Sequence, residues 1–517
     1  MNYKIMAASL LLSAGCSVAS AKTNSLRFNP DSFTRQTLTM PDGTQINYKA
    51  YEGMYYVTNV EDSTYQTLNI YVPEKLADIP KVPILLRTYV GGYAASTAKS
   101  PSPSDATGRA LEEGYVVCIP GSRGSNSTIV RNGKTIYTGM APNGLLDLKA
   151  AVRYLRYNDD LIPGESELIF TDGTSAGGAM SSLLGATGNG REYDKYLKKM
   201  GAADVRDDVF AAICYCPITD LNHADMEYEW LYGCTNTGVR ALNAAQIKIS
   251  EELAAECPSY INSLGLKDKN GIPLTAENYK EYLKGFLIES AHRALQEGCE
   301  ISDTIGFAFY QDKSGPMGGG PANGRRGAMR PGNGGRPPVG DGRQAPSFGP
   351  GNTPRFNKTS DFVTGLDLDR YLAYVASVTP LKTPPAFDQM GVLIDTPSPE
   401  NNVFGNEKGE AANFTDFSLR HRLNNGKAKL DREMVSRVDM MNPMNYIGTD
   451  KSTVASNWYI RHGAKDRDTS FLVPVNLATK LMNSGKNVDF ALPWNRPHSG
   501  DYNLDDLFNW IAETLNK

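Results

Sequence analysis

Hydrophobic and polar positions along this chain alternate between two spacings. Short apolar runs at residues 67 to 73 (TLNIYVP), 82 to 90 (VPILLRTYV) and 115 to 119 (YVVCI) predict strands. Residues 145 to 157 place Leu145, Leu148, Val152 and Leu155 at helical spacing. ELIFTDGTSAGGAMSSLLGATG then predicts a strand, a Gly-flanked turn and a helix, and VFAAICYCPIT (209 to 219) a further buried strand. Near the C-terminus SNWYIRHG predicts a strand, FLVPVNLATKLMNSG a helix, VDFALPW a strand and LDDLFNWIAETLNK a closing helix. Strands that alternate with helices indicate a mostly parallel sheet with helices on both faces.

The alternation breaks after about residue 220. Residues 221 to 310 predict polar helices with scattered Tyr and Trp. Residues 314 to 355 are dominated by Gly, Pro, Arg and Asn and hold almost nothing that can build a core, so they read as a disordered loop. A basic nucleic-acid tail is the functional alternative for this stretch, and its lack of interleaved aromatics argues against it. The expected organisation is one core in two parts, residues 22 to 220 and 441 to 517, interrupted by a large cap insertion at 221 to 440.

Composition narrows the picture. A chain of 517 residues with 40% hydrophobic and 21% charged content can bury a large core. A net charge of −4 and a pI near 5.9 give no reason to expect nucleic acid as a partner. Residues 1 to 21 read as an export signal: Lys4 precedes an apolar run at 5 to 15 that is too short to span a bilayer. Ala19-Ser20-Ala21 offers cleavage before Lys22, whereas Ala14-Gly15-Cys16 resembles a lipobox and would place a lipid on Cys16. The expectation is an exported protein, periplasmic or an outer-membrane lipoprotein, with secretion a further alternative and that lipid its only link to a membrane. Of the seven Cys, Cys118, Cys214 and Cys216 lie in apolar runs and read as small buried hydrophobes. Export leaves oxidation of others open, and none has zinc-type spacing with His, so no metal is expected.

Gly173-Thr174-Ser175-Ala176-Gly177 matches G-x-S-x-G, the nucleophile elbow. In a chain with 49 Gly the motif alone is weak; the strand before it and the helix after it give it weight. A serine hydroxyl needs a base. Of five His, His498 falls between the last strand and the last helix and follows Ser175 in chain order, as the nucleophile-elbow fold requires. His462, in strand-like YIRHG, reads as structural. Asp466 in HGAKD is nominated to orient the base, with Asp468 its competitor. The oxyanion donors would be the N–H of Ala176 and one from Gly91-Gly92, with Gly92 preferred. These features predict an α/β-hydrolase fold acting as a serine hydrolase, with no cofactor. The non-enzyme rival is a binding protein on an inactive hydrolase scaffold.

The sequence also resembles the bacterial tannases (tannin acyl hydrolases) and their feruloyl-esterase relatives, from about residue 40 to the C-terminus outside 314 to 355. The resemblance rests on YVGGY at 89 to 93, GTSAGG at the elbow, CPITD at 216 to 220, KTPPAFD at 382 to 388, PENNVFG at 399 to 405, the pair Asp466 and Asp468, and His498. It implies hydrolysis of galloyl esters. Lys382, Glu400 and Asp468 would hold the three phenolic hydroxyls, and Ile218 and Pro399 would flank the ring. Read without it, Lys382 and Glu400 are ordinary solvated loop residues. The alternatives are a feruloyl or acetyl-sugar esterase, or a peptidase-like hydrolase.

Overall fold

In the computed structural model, which describes residues 25–309 and 362–516, thirteen strands are found among the described residues. They are β1 (Thr34–Thr39), β2 (Gln45–Tyr55), β3 (Thr67–Pro73), β4 (Ile84–Arg87), β5 (Val116–Pro120), β6 (Thr128–Arg131), β7 (Lys134–Tyr137), β8 (Ile169–Thr174), β9 (Ala211–Tyr215), β10 (Phe307–Phe309), β11 (Val363–Leu366), β12 (Asn457–Arg461) and β13 (Asn487–Ala491). Nine form one sheet in the order β1-β2-β3-β5-β4-β8-β9-β12-β13. The pairs from β5 to β13 are parallel; β1, β2 and β3 join antiparallel. The fold class is therefore α/β, as expected, and the antiparallel margin of β1 and β2 is an addition to that expectation. Residues 1 to 21, Cys16 among them, and residues 314 to 355 lie outside the described residues, and so do the expectations for them.

Burial explains the layering. Successive strand residues point to opposite faces. Ile84 and Leu86 join one apolar cluster and Leu85 the other; Val116 and Cys118 part from Val117 and Ile119 in the same way. The larger cluster packs the helices Asn143–Tyr157, Ala176–Ala186 and Leu472–Asn483, and the smaller one the helices Ala106–Glu112 and Leu504–Leu515. Two apolar faces explain why the central strands read as unbroken apolar runs. Between β9 and β12 in the chain lie the helices Leu221–Tyr232, Ala244–Ser263, Tyr279–Gln296 and Leu368–Val378, with the two-stranded β10–β11 sheet. Among the described residues no helix is long and apolar enough to cross a membrane.

Candidate active site

The elbow begins where β8 ends. Ser175 has φ 62° and ψ −126°, a conformation that costs a non-glycine residue on the order of 1–3 kcal/mol. Its amide donates to Tyr215 O at 2.9 Å, and its carbonyl accepts from Ala179 N at 2.9 Å, so both ends of the strained residue are fastened. Side chains beside it have no room. A Cβ on Gly173 would stand 2.2 Å from Gly177 O, and one on Gly178 2.5 Å from Tyr215 O. Gly177 lies tight against Val90 O, where a Cβ would sit at 2.9 Å, which brings the 88–92 loop to the elbow. Ala176 opens the helix Ala176–Ala186, whose N-terminus favours negative charge. Gly92, on that loop, has φ 53° and lines the same cavity as Ser175.

Two loops at the ends of β12 and β13 carry the other groups. His498 Nδ1 donates to Asp466 Oδ2 at 2.7 Å. Asp468 Oδ2 is 3.9 Å from the same nitrogen, and the Asp468 amide donates to Asp466 Oδ1 at 2.8 Å. Asp466 is fully buried, whereas the Asp468 side chain is 26% exposed. The structure thus separates two carboxylates that sequence order nearly tied. Burial alone would push the Asp466 carboxyl up, but the facing His462, His498 and the Cys216 thiol outweigh it and bring it down to about 2. Burial lowers His498, yet the hydrogen bond and charge of Asp466, with the charge of Asp468, leave it raised overall. A second anchor fixes the His498 loop. Arg87 on β4 pairs with buried Asp172 on β8 and, at 2.8 Å, with Asp501 beyond His498.

Ser175 and His498 open onto a cavity of about 470 Å³. Gly92, Ile218, Lys382, Pro399, Glu400 and Asp468 also line it, so eight of the ten nominated residues share one wall system, with Ala176 and Asp466 buried directly behind. Pro399 and Glu400 open the short helix Pro399–Val403, capped by Ser398 and Asn401 in a capping box. Glu400 is buried rather than solvated, and burial raises its carboxyl against the opposing charge of Lys382. The Lys382 ammonium rests 4.0 Å from the centroid of the Phe387 ring. Its backbone is pinned: Lys382 N donates to Tyr228 OH at 3.0 Å and Lys382 O accepts from Arg240. Sequence reasoning did not single out Thr383, Gln389 and Ser398, which also line the cavity; only the S-P-E-N capping pattern around Ser398 offered a signal.

Cys118, Cys214 and Cys216 are buried as expected, and all six cysteines among the described residues are free. Cys216 is more than filler. Its thiol lies 2.9 Å from Tyr502 OH and 3.3 Å from Ser499 O, the residue after His498. Two sets of three ligand-type atoms lie within 4.8 Å of one another, Cys216 with His462 and Asp466, and Asp466 with Asp468 and His498. Both share Asp466, whose oxygens already accept from His498 and the Asp468 amide.

A family model described as BD-FAE matches residues 68–262. A comparison with curated proteins found no match. Among solved structures, the Fusobacterium nucleatum tannase is 35% identical with a TM-score of 0.77, covering 95% of this chain and 99% of that one. This chain belongs to the tannase family. A Lactobacillus plantarum tannin acyl hydrolase is 33% identical over 95% of this chain and 98% of its own, with a TM-score of 0.77. A tannin acyl hydrolase in complex with ethyl gallate is 33% identical over 94% and 98%, with a TM-score of 0.76. Membership makes this tannase-family chain a carboxylic ester hydrolase of the α/β-hydrolase fold.

Proposed function

We propose that this enzyme hydrolyses galloyl esters through an acyl-enzyme on Ser175. The observation that carries the reading is the shared cavity, in which a nucleophile and a base face two carboxyls, one ammonium and two apolar side chains. His498 takes the Ser175 proton as Oγ attacks the ester carbonyl, and Asp466 stabilises the imidazolium. The N–H groups of Ala176 and Gly92 hold the oxyanion. His498 returns the proton to the departing alcohol, and water activated by the same imidazole releases gallate.

A galloyl ring offers three hydroxyls. Glu400 and Asp468 accept from two, and the Lys382 ammonium donates to the third. Ile218 and Pro399 flank the ring faces. The tannin acyl hydrolase solved with ethyl gallate, 33% identical to this chain, supports the same ligand class. In this reading residues 221 to 440 form the cap over the cavity. The match to the BD-FAE family favours a second reading, a feruloyl ester. Ferulate has one free hydroxyl, and its methoxy oxygen can accept but not donate, so one of the two carboxylates would be left without a donor.

The test compares kcat/KM for methyl gallate, methyl 3,4,5-trimethoxybenzoate, methyl ferulate and p-nitrophenyl acetate. Each hydrogen bond to a charged group contributes about 1.5–3 kcal/mol, so the trimethoxy ester should lose at least about a hundredfold against gallate. Ferulate outranking gallate would overturn the galloyl reading. We also propose export, with the chain either cleaved before Lys22 or lipidated at Cys16. Mass spectrometry of the mature N-terminus distinguishes the two, and an intact Met1 would refute both.

A further inference from the structure

Asp466 has a second imidazole beside it. His462 follows β12, and its amide donates to Ala491 O at 3.2 Å. The side chain is fully buried, and neither ring nitrogen has a hydrogen-bond partner. Its Nδ1 lies 3.5 Å from Asp466 Oδ2, the same oxygen that accepts from His498. The ring meets Phe471 edge-on at 5.5 Å. The titratable groups facing it are Asp466, His498, Asp468 and the Cys216 thiol.

We propose that His462 is a positioning residue: a proton on Nδ1 faces Asp466 Oδ2 across 3.5 Å and helps hold the carboxylate in the orientation that His498 uses. The inference rests on the proposed role of Asp466. A buried polar atom left without a partner is unfavourable, so the ring's one proton belongs on the nitrogen that has an acceptor in front of it. That acceptor is Asp466; Nε2 has none among the described residues. Burial holds His462 down to about 4, so at neutral pH the ring carries one proton and adds no positive charge beside the imidazolium that forms on His498. A neutral donor can steady the carboxylate without competing as a cation. It also withdraws charge from Oδ2, so its loss makes Asp466 more basic and raises the pKa of His498.

The test is His462→Phe, which keeps an aromatic ring without a donor, beside His462→Asn, whose amide nitrogen falls near the position of Nδ1. For His462→Phe, kcat should drop about 2- to 10-fold on both methyl gallate and p-nitrophenyl acetate, the loss of a neutral donor that faces the carboxylate at 3.5 Å. KM should hold, and the acid limb of the kcat/KM profile should move to higher pH. His462→Asn should recover most of kcat and the original limb. Unchanged kcat and pH profile in His462→Phe, or no recovery in His462→Asn, would reduce His462 to packing. If His462→Phe does not fold, nitrogen NMR of the histidine-labelled wild type decides. A neutral Nδ1–H ring that does not titrate from about pH 8 to pH 5 supports the proposal, and an Nε2–H ring or titration near the ordinary value of about 6.5 overturns it. An active Asp466→Asn would instead bring down the triad assignment itself, whatever His462 does.

Discussion

Asp466 and Asp468 stand two residues apart and should fail in different ways. Asp466 Oδ2 is 2.7 Å from His498 Nδ1 inside a fully buried site. Opposite unit charges about 4 Å apart attract by about 4 kcal/mol at an effective dielectric near 20. Removing the carboxylate charge therefore costs the developing imidazolium about three decades in kcat, and an amide that selects the wrong tautomer brings the loss toward ~10⁴. Asp466→Asn should lose this factor on every ester. Asp468 lies 3.9 Å from His498 with a side chain 26% exposed, so water screens its effect on the base to within about 1 kcal/mol, less than tenfold. Its proposed role is larger toward the substrate ring, where a charge-assisted hydrogen bond would contribute about 1.5–3 kcal/mol. Asp468→Asn should thus lose about ten- to a hundredfold in kcat/KM on methyl gallate and little on p-nitrophenyl acetate, which has no ring hydroxyl to accept from. The assay is kcat/KM for both variants on both esters, with melting temperatures to verify folding. If Asp468→Asn is the variant that abolishes acetate hydrolysis, the two roles are exchanged; if both variants lose both activities alike, the division of labour is wrong.

Ser175→Ala should lose a factor on the order of 10⁶ in kcat and all labelling by a fluorophosphonate while keeping its melting temperature, and residual activity within tenfold of wild type would dismiss it as nucleophile. Arg87→Met removes the partner of Asp172 and Asp501; breaking a buried pair costs about 3–5 kcal/mol, roughly 3–5 °C for a chain of this size, and kcat should drop as the His498 loop loosens. An unchanged Tm and kcat would show that Arg87 does not anchor the loop. Phe309 pairs with Val363, so the described residues on either side of 314 to 355 lie side by side; replacing 314 to 355 with a short Gly/Ser bridge should barely change Tm, and a drop beyond about 8 °C would mean that they pack on the fold. Burial raises Glu227 well above its ordinary value, so its protonated form stabilises the fold at low pH and that contribution is lost as pH rises above about 4.5. Glu227→Gln should therefore gain in Tm relative to wild type between pH 5 and pH 8, and a constant or shrinking difference refutes the assignment.

The elements legible in the chain are those whose burial is two-sided. β4, β5, β8, β9 and β12 read as apolar runs because helices cover both faces. β1 and β2 escaped because TRQTLT, at the sheet margin, exposes four of its six residues and carries no apolar stripe. The β6–β7 hairpin turns at Asn132-Gly133, with φ of 55° and 72°, a strong short-range signal that the apolar-run reading passed over. Ser175 and His498 were legible because strand ends and chain order constrain them. Asp466 and Asp468 were not separable, since a 2.7 Å contact and a 3.9 Å one differ by loop geometry rather than spacing. Glu400 read as solvated because its burial depends on how the flanking loops fold back around it, which no spacing reveals. Asp388 accepts from the side chains of Asn401 and Asn413 and from the backbone N–H groups of Phe414 and Thr415, and that network seats the helix that carries Glu400.

The helix Leu221–Tyr232 explains how two distant stretches of chain meet with catalytic precision. It leaves β9 just after the elbow's neighbour Tyr215, and three of its side chains reach the site's two halves. Tyr232 OH donates to Asp466 O at 3.1 Å. Tyr228 OH donates to Arg467 O at 2.6 Å and accepts from Lys382 N at 3.0 Å, so one hydroxyl ties the loop of Asp466 to the residue proposed to hold a ring hydroxyl. Asp225 accepts from Phe387 N and Asp388 N, fixing the ring under the Lys382 ammonium and the hub that seats Glu400. All three sit on one stretch of helix, where residues three or four apart share a face. Cavity-lining residues from 382 to 400 are thereby referenced to the sheet that positions Ser175 and His498. The catalytic motifs belong to the sheet, and the residues proposed to recognise the ring belong to the helical segment. A change at Tyr228 should accordingly disturb the acid loop and the Lys382 loop together, even though its hydroxyl faces backbone atoms rather than the substrate.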